Sequence, residues 1–575
     1  MKKILILLLV LVCLPLASAK TYHMALLTVS EETANYTGGI ADVYLEVKPG
    51  SGRIFIDSFP LSKLDTQIMT RFSNEIACDF LQDDCSKTDF FYTIRANSAI
   101  VGGPSAGAPM TVLTVAALMD LSLDQSVVMT GTINSGGLLG SVGGVKEKIQ
   151  AAQGYGLKTV LIPKWSLTDN QTNESMNYSN FNISVVEIST LDQALYYFTG
   201  QNFSKPDRDI EIPRFYSDVM KSIAQQLCSR TVEINNSLSP SLKVVNNSNY
   251  NSSVFYFNKS KTAMADSDYY STASFCFSAN LRLRTLSLQN KTDEQLLEIK
   301  KKIQEAIDST NERLDEDFTL KTISDLEAFM VVKERLGEAQ DFLNGINDSN
   351  ISYSDIAYAH ERYYSAASWS AFYRVGGKEF ELDQENLKQG CLNKLSEAEE
   401  RLNYVRLYLP EFMLEETQTE LQHAYKDLDN QNYALCMFMA SKAKAEANSL
   451  MTLMAIKTED DLKLMLKEKF GSIKQIILRE QDKGIFPILG YSYYEYAQNL
   501  VEDQPYSALT FTEYSLELSN LDIYFPKKTS FTFPTIQPVF ISIFLSGLFI
   551  GLFIGIFMRK KRERKIRRRP AKRSK

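Results

Sequence analysis

Histidine is scarce in this chain. Only His23, His360 and His423 occur among 575 residues, so a histidine general base has few places to come from. No C-x-x-C pair occurs among the seven cysteines, which removes support for a dithiol redox centre or a zinc knuckle. No G-x-x-x-x-G-K-S/T run is present, and no phosphate-cradling P-loop is legible without it. No repeat of regular period stands out in the helical-looking half. Positive charge is also short outside the last residues. The net charge is −7, the final 17 residues carry +11 and two leading lysines +2, so the remainder sits near −20. Such a surface disfavours nucleic acid as a partner.

Charge is missing altogether from "VFISIFLSGLFIGLFIGIFM", residues 539–558, which predicts a transmembrane helix. The basic run 559–575 after it is expected to stay cytoplasmic, where lipid headgroups suit it better than nucleic acid. The opening "MKKILILLLVLVCLPLASAK" reads as a secretory signal over 1–19, cleaved after Ala19, with an uncleaved anchor as the alternative. Together the two ends predict a single-pass type I protein of the cell membrane with its bulk outside. Residues 526–538, with prolines at 526, 534 and 538, are expected to form a stalk. Asn-x-Ser/Thr sequons cluster at 170–182 and 246–258, consistent with glycosylated loops. Cys13 leaves with the signal. Of the remaining six, Cys78 with Cys85, Cys228 with Cys276 and Cys391 with Cys436 are candidate pairs, which the even count permits without establishing.

Three regions lie between the ends. Residues 20–200 mix strand-like alternation with glycine turns, as in "HMALLTVS" and "GIADVYLEVKPGSGRIFIDS", the latter read as a hairpin across Pro49-Gly50. Residues 201–285, rich in Asn, Ser and Tyr, are expected to be an irregular connector or small elaboration. Residues 286–525 carry apolar residues at helical spacing, as in "TDEQLLEIKKKIQEAIDSTNERL", and predict a helical bundle or solenoid. His23 falls in a strand-like stretch and is expected to be structural. His360 and His423 are expected at bundle or surface positions.

One serine stands out. In "VGGPSAGAPMTVLTVAALMD", residues 101–120, Ser105 sits where a glycine turn runs into a helix former. A serine there commonly caps the helix. It becomes a nucleophile if a base takes its proton, and the segment "VMTGTINSGGLLGSVGGVKEKIQAAQGYGLKTVLIP", 128–163, offers Lys148 near a helix start. Burial and the helix dipole both disfavour an ammonium there, and a neutral amine can act as general base. Thr130 can orient the amine by a hydrogen bond. Backbone N–H groups of the turn can meet the oxyanion.

These blocks resemble the proteolytic domain of the Lon proteases, over roughly residues 21–200 and most densely from Gly103 to Pro163. "GPSAG", 103–107, looks like the family's nucleophile motif, "MTG", 129–131, its lysine-supporting strand, and "VGGVKEKIQAAQGYGLKTVLIP", 142–163, its lysine segment. The resemblance implies an α/β (α+β) proteolytic fold and a Ser105–Lys148 dyad. It assigns support to Thr130, and the turn and oxyanion site to Gly103, Pro104 and Ala106. No cofactor or metal is implied. Two positions depart: Gly102 and Thr132 stand where the family commonly has acidic residues. With no P-loop, the expectation is an ATP-independent serine endopeptidase acting on unfolded or extended polypeptides, anchored in the membrane. The family's hexameric ring is a further expectation. The sequons and signal resemble an archaeal envelope protein. The alternative is a non-catalytic surface scaffold built on the same domain.

Overall fold

The first four strands carry most of their buried side chains on one face, as Ala41, Val43 and Leu45 or Phe90, Tyr92 and Ile94 alternate with half-buried or exposed residues. These strands are β1 (Thr21–Glu32), β2 (Asn35–Pro49), β3 (Ile54–Ser62) and β4 (Thr88–Val101). Downstream lie β5 (Val127–Met129), β6 (Thr132–Asn134), β7 (Leu138–Gly140), β8 (Thr159–Pro163) and β9 (Ser184–Ile188). In this computed structural model seven of them form one sheet, ordered β3-β4-β2-β1-β5-β8-β9, while β6 and β7 make a separate hairpin. The structure describes residues 20–526 except 33–34, 82, 84, 102, 141, 165–177, 204–207, 245, 347–350, 407–408 and 457. Beyond 526 it describes only 547–548, 551–553, 555–556 and 559.

Side chains sort by alternation. Met24 and Leu26 of β1, Met129 of β5 and Leu161 of β8 join one core with helices α1 (Leu64–Leu81), α2 (Gly107–Leu118) and α4 (Leu191–Thr199). Leu27, Val128, Val160 and Ile162 point the other way and pack on α3 (Val145–Gly154). Strands β5 and β8 are parallel neighbours joined through α3, a βαβ crossover. The hairpin expected across Pro49-Gly50 does not form. Strand β4 lies between β2 and β3, antiparallel to the first and parallel to the second. The intervening α1 provides the length that a parallel return needs.

Helices follow: α5 (Arg214–Ser237), α6 (Ser248–Ala265), α7 (Tyr269–Leu288), α8 (Asp293–Asp317), α9 (Ile323–Asn344), α10 (Tyr353–Trp369), α11 (Gln384–Val405), α12 (Glu415–Asp429), α13 (Tyr433–Ala455), α14 (Glu459–Asp482), α15 (Ile488–Leu500) and α16 (Pro505–Leu518). The expected irregular connector at 201–285 is therefore corrected, because α5, α6 and α7 occupy most of it. Tyr216, Met220, Ile223 and Leu227 of α5 enter the core, and Ser253, Ser260, Ser271 and Asn280 of α6 and α7 are buried as well. Capping boxes at Thr292, Thr322 and Thr458 start α8, α9 and α14.

Disulfides join Cys78 to Cys85, Cys228 to Cys276 and Cys391 to Cys436. The last ties α11 to α13 across a sequence separation of 45. Replacing both of its cysteines by serine is expected to lower stability by about 2–4 kcal/mol. Urea unfolding of the non-reduced protein measures this, and an unchanged midpoint would contradict it.

The described residues up to Pro526 make one compact unit, and the few beyond it belong to a second. The predicted membrane span is corrected. Among the described residues no helix is long and apolar enough to cross a membrane. The apolar composition of 539–558 is not matched by a described spanning helix, and much of that stretch lies outside the described residues. The type I topology and the membrane partner rested on that span and fall with it, and the archaeal envelope placement, read from the sequons and signal, is corrected on the same finding. The signal at 1–19, nearly all of the stalk and all of the tail except Arg559 also lie outside the described residues.

Candidate active site

Beyond the carboxyl end of β5 the chain continues through Thr130 and Gly131 into β6, and three elements meet there. The first is the turn bearing Ser105. A 3₁₀ turn, Pro104–Ala106, leads into α2. Gly103 precedes it at φ +108°, a conformation that favours glycine. Ser105 is half-buried. It does not cap α2: the cap position falls on Ala106, with no side-chain cap hydrogen bond.

The second element is Gly131, which clasps this turn from both ends. Its N–H donates to the Ser105 carbonyl at 3.0 Å, and its carbonyl accepts from the Ala108 N–H at 3.0 Å. The Ala108 amide is thereby used up, so an oxyanion would have to be met further forward in the turn. Gly107 is wedged as well. A Cβ there would lie 2.5 Å from Met69 Cε of α1 and 3.2 Å from the Ile133 N of β6.

The third element is α3. Its N-cap Gly144 has φ +65°, and Lys148 follows in the first turns. Two close approaches seat this helix on the sheet. A Cβ on Gly38 would lie 2.0 Å from the Glu147 carbonyl oxygen, and one on Gly144 would lie 2.7 Å from Val29 Cγ2. So placed, Lys148 is 4% exposed and its Nζ donates to Thr130 Oγ1 at 3.0 Å. Thr130 itself is fully buried. Burial brings the lysine from its ordinary 10.5 down to about 7, with no charged neighbour contributing.

The sequence-derived residues thus meet in part. Lys148 touches Thr130, and the next residue, Gly131, holds the Ser105 backbone. Gly102 and the side chain of Pro104 lie outside what is described. Thr132 is buried opposite Gly140, its hydroxyl oxygen without a hydrogen-bond partner among the described residues.

Residues 79–197 match the Lon protease (S16) C-terminal proteolytic domain. Ser105, Thr130 and Lys148 all fall inside the match. The Lon protease of Syntrophus aciditrophicus is 35% identical over 97 residues, 17% of this chain and 12% of that protein. The archaeal Lon protease of Methanocaldococcus jannaschii is 30% identical over 110 residues, 19% and 16% of the respective chains. The Lon protease of Roseiflexus castenholzii is 32% identical over 165 residues, 28% and 20%. The chain therefore spans about a fifth or less of these relatives. At the level of the family, the matches support a protease, and the strand–helix unit has the Lon-type α/β arrangement.

The remaining histidines are elsewhere. His23 Nε2 lies 2.8 Å from Asp42 and its Nδ1 2.8 Å from Gln125, fixing β1 to its neighbours. His360 on α10 is pushed down to about 4 by burial first and by Arg284 next. Gly38, Gly131 and Gly144 were missed as parts of the site. Their role depends on what approaches them, and the only hint in sequence was glycine beside strand-like runs.

Proposed function

We propose that the protein is a serine endopeptidase using Ser105 as nucleophile and Lys148 as general base. The observation that carries this reading is the buried Lys148 amine, brought to about 7, on Thr130 Oγ1 at 3.0 Å. Near neutral pH a large share of that amine is unprotonated, and its lone pair can accept the Ser105 proton. Ser105 Oγ then attacks the scissile carbonyl, and the tetrahedral oxyanion is met by N–H groups of the 103–106 turn. The Lys148 ammonium gives its proton to the leaving amine as the C–N bond breaks. Water next attacks the acyl-enzyme, Lys148 takes a proton from it, and Ser105 recovers that proton as the acid product leaves.

Extended polypeptide is the proposed substrate, since the chain carries no P-loop for a nucleotide-driven unfolding step. The test is cleavage of a permanently unfolded, fluorescently labelled polypeptide without nucleotide, by the wild type beside Ser105→Ala. Cleavage by the wild type alone supports the reading. A folded wild type that leaves the polypeptide intact would overturn it.

The pH dependence is a second expectation. Only the unprotonated amine serves as base, so acylation should rise with pH through about 7 and then level. The burst of p-nitrophenol from a peptide p-nitrophenyl ester measures acylation directly. A rate that is flat from pH 5.5 to 9 would exclude Lys148 as the base.

A further inference from the structure

Among the contacts by which the helical region outside the matched segment reaches the candidate site, alongside Lys444 over the Phe72 ring at 4.7 Å, is one guanidinium. Arg401, on α11, is 6% exposed. Its Nη1 donates to Asn134 Oδ1 at 3.0 Å and lies 3.4 Å from Met451 Sδ. Its guanidinium carbon stands 5.2 Å from the centre of the Phe72 ring, a cation–π distance. Burial lowers the basicity of Arg401, and Glu517, Glu513 and Glu400 oppose that loss.

These two partners are not arbitrary places. Phe72 lies on α1, one residue before Ser73, whose Oγ donates to the Gly107 carbonyl at 2.8 Å. Asn134 ends β6, one residue after Ile133, whose backbone nitrogen would lie 3.2 Å from a Cβ on Gly107. Arg401 therefore grips both elements between which the start of α2 is wedged. Strand β6 also leads back through Gly131 to Thr130, the hydrogen-bond partner of Lys148. The same hairpin is pressed from the helical side at Gly136, where a Cβ would lie 2.7 Å from Ile476 Cδ1.

We propose that Arg401 is a positioning residue, through which the helical region holds the Ser105 turn and the Thr130–Lys148 pair in register. The role in catalysis rests on the protease reading above. The coupling itself does not. Loss of this hold lets α1 and β6 separate, loosens the Gly107 wedge and admits water to the lysine.

The test uses the full chain and four variants. They are Arg401→Met, Asn134→Ala, the double variant, and Arg208→Ala, which breaks a contact with the Leu478 carbonyl and Asp482 away from the site. Two readouts apply: the p-nitrophenol burst against pH, and amide hydrogen exchange over residues 103–108 and 128–134. Arg401→Met and Asn134→Ala are each expected to slow acylation about tenfold. The pH midpoint should move upward from about 7, exchange in both segments should quicken, and the double variant should add little. Arg208→Ala should change neither readout. Should Arg401→Met fail to fold, Asn134→Ala alone carries the test, because it removes the acceptor and leaves the helical core intact. Unchanged exchange and acylation in Asn134→Ala, or losses that simply add, would overturn the proposal. So would an equal loss in Arg208→Ala. If the wild type shows no burst, the protease reading falls, and exchange alone decides the coupling: faster in Asn134→Ala supports it, unchanged rejects it.

Discussion

Lys148→Met is expected to abolish cleavage and, at neutral pH and below, to make the protein more stable. The two effects share one cause. A lysine 4% exposed, beside a threonine hydroxyl and no carboxylate, is held where its charged form is disfavoured. Removing the base should cost on the order of 10³-fold in acylation. The stability effect follows from proton linkage. The folded chain titrates this group at about 7 and the unfolded chain near the ordinary 10.5. Between those values the unfolded state holds a proton that the folded state has released, so stability rises with pH across that window. Below about 7 the folded state carries a buried ammonium, at roughly 1.4 kcal/mol per pH unit of displacement. Methionine fills a similar volume without a charge. The difference between variant and wild type should thus be several kcal/mol at pH 6 and vanish near pH 10.5. Urea midpoints for both proteins from pH 6 to 10 measure it. Parallel curves would mean that Lys148 is not buried in the way described.

Gly38→Ala should be nearly as severe by another route. The added methyl would stand 2.0 Å from the Glu147 carbonyl oxygen and 3.0 Å from Ala151 Cβ. The nearer obstacle is backbone, so β2 and α3 must part, and with α3 goes Lys148. About 3 kcal/mol of stability is at stake, in the range of overpacked cores, and cleavage should fall at least a hundredfold as the amine leaves Thr130. Gly144→Ala should behave alike, combining a left-handed φ of +65° with a 2.7 Å approach to Val29. Gly154, at the other end of the same helix, meets nothing within 4 Å. Alanine there should be neutral, or stabilising by under about 1 kcal/mol. Thermal midpoints of the three variants, read beside the p-nitrophenol burst, separate the cases. Equal behaviour of Gly38→Ala and Gly154→Ala would contradict the close approach.

Much of the candidate site was legible as spacing. A glycine turn before a helix former marked Ser105, and a helix start after a second glycine run marked Lys148. What spacing could not carry was the partner of each glycine. Gly131 reads as the end of a strand, yet it holds the Ser105 carbonyl and the Ala108 amide together. Arg401 reads as one more charged residue on a helix face. Its place between Phe72 and Asn134 depends on segments more than 260 residues apart. Local pattern also misled within the folded unit. Two strand-like runs across Pro49-Gly50 look like a hairpin until β4 enters between them. The polar run at 201–285 looks irregular, though Tyr216, Met220, Ile223 and Leu227 of α5 and Phe275, Leu283 and Leu286 of α7 fall on inner faces.

The sequence by itself determined the alternation that buries one face of β2 and β4 and the apolar spacing of the long helices. It also determined the chemistry available at Ser105, Thr130 and Lys148, because these follow from residue type and local period. Apolar composition alone did not determine a membrane span. The tertiary structure decided the strand order, the seating of α3 on glycine, the depth that brings an ordinary lysine to about 7, and the hold of the helical region on the hairpin. Each of those depends on which distant surface excludes water or closes on a backbone, and desolvation and close packing are properties of the assembled neighbourhood rather than of any segment.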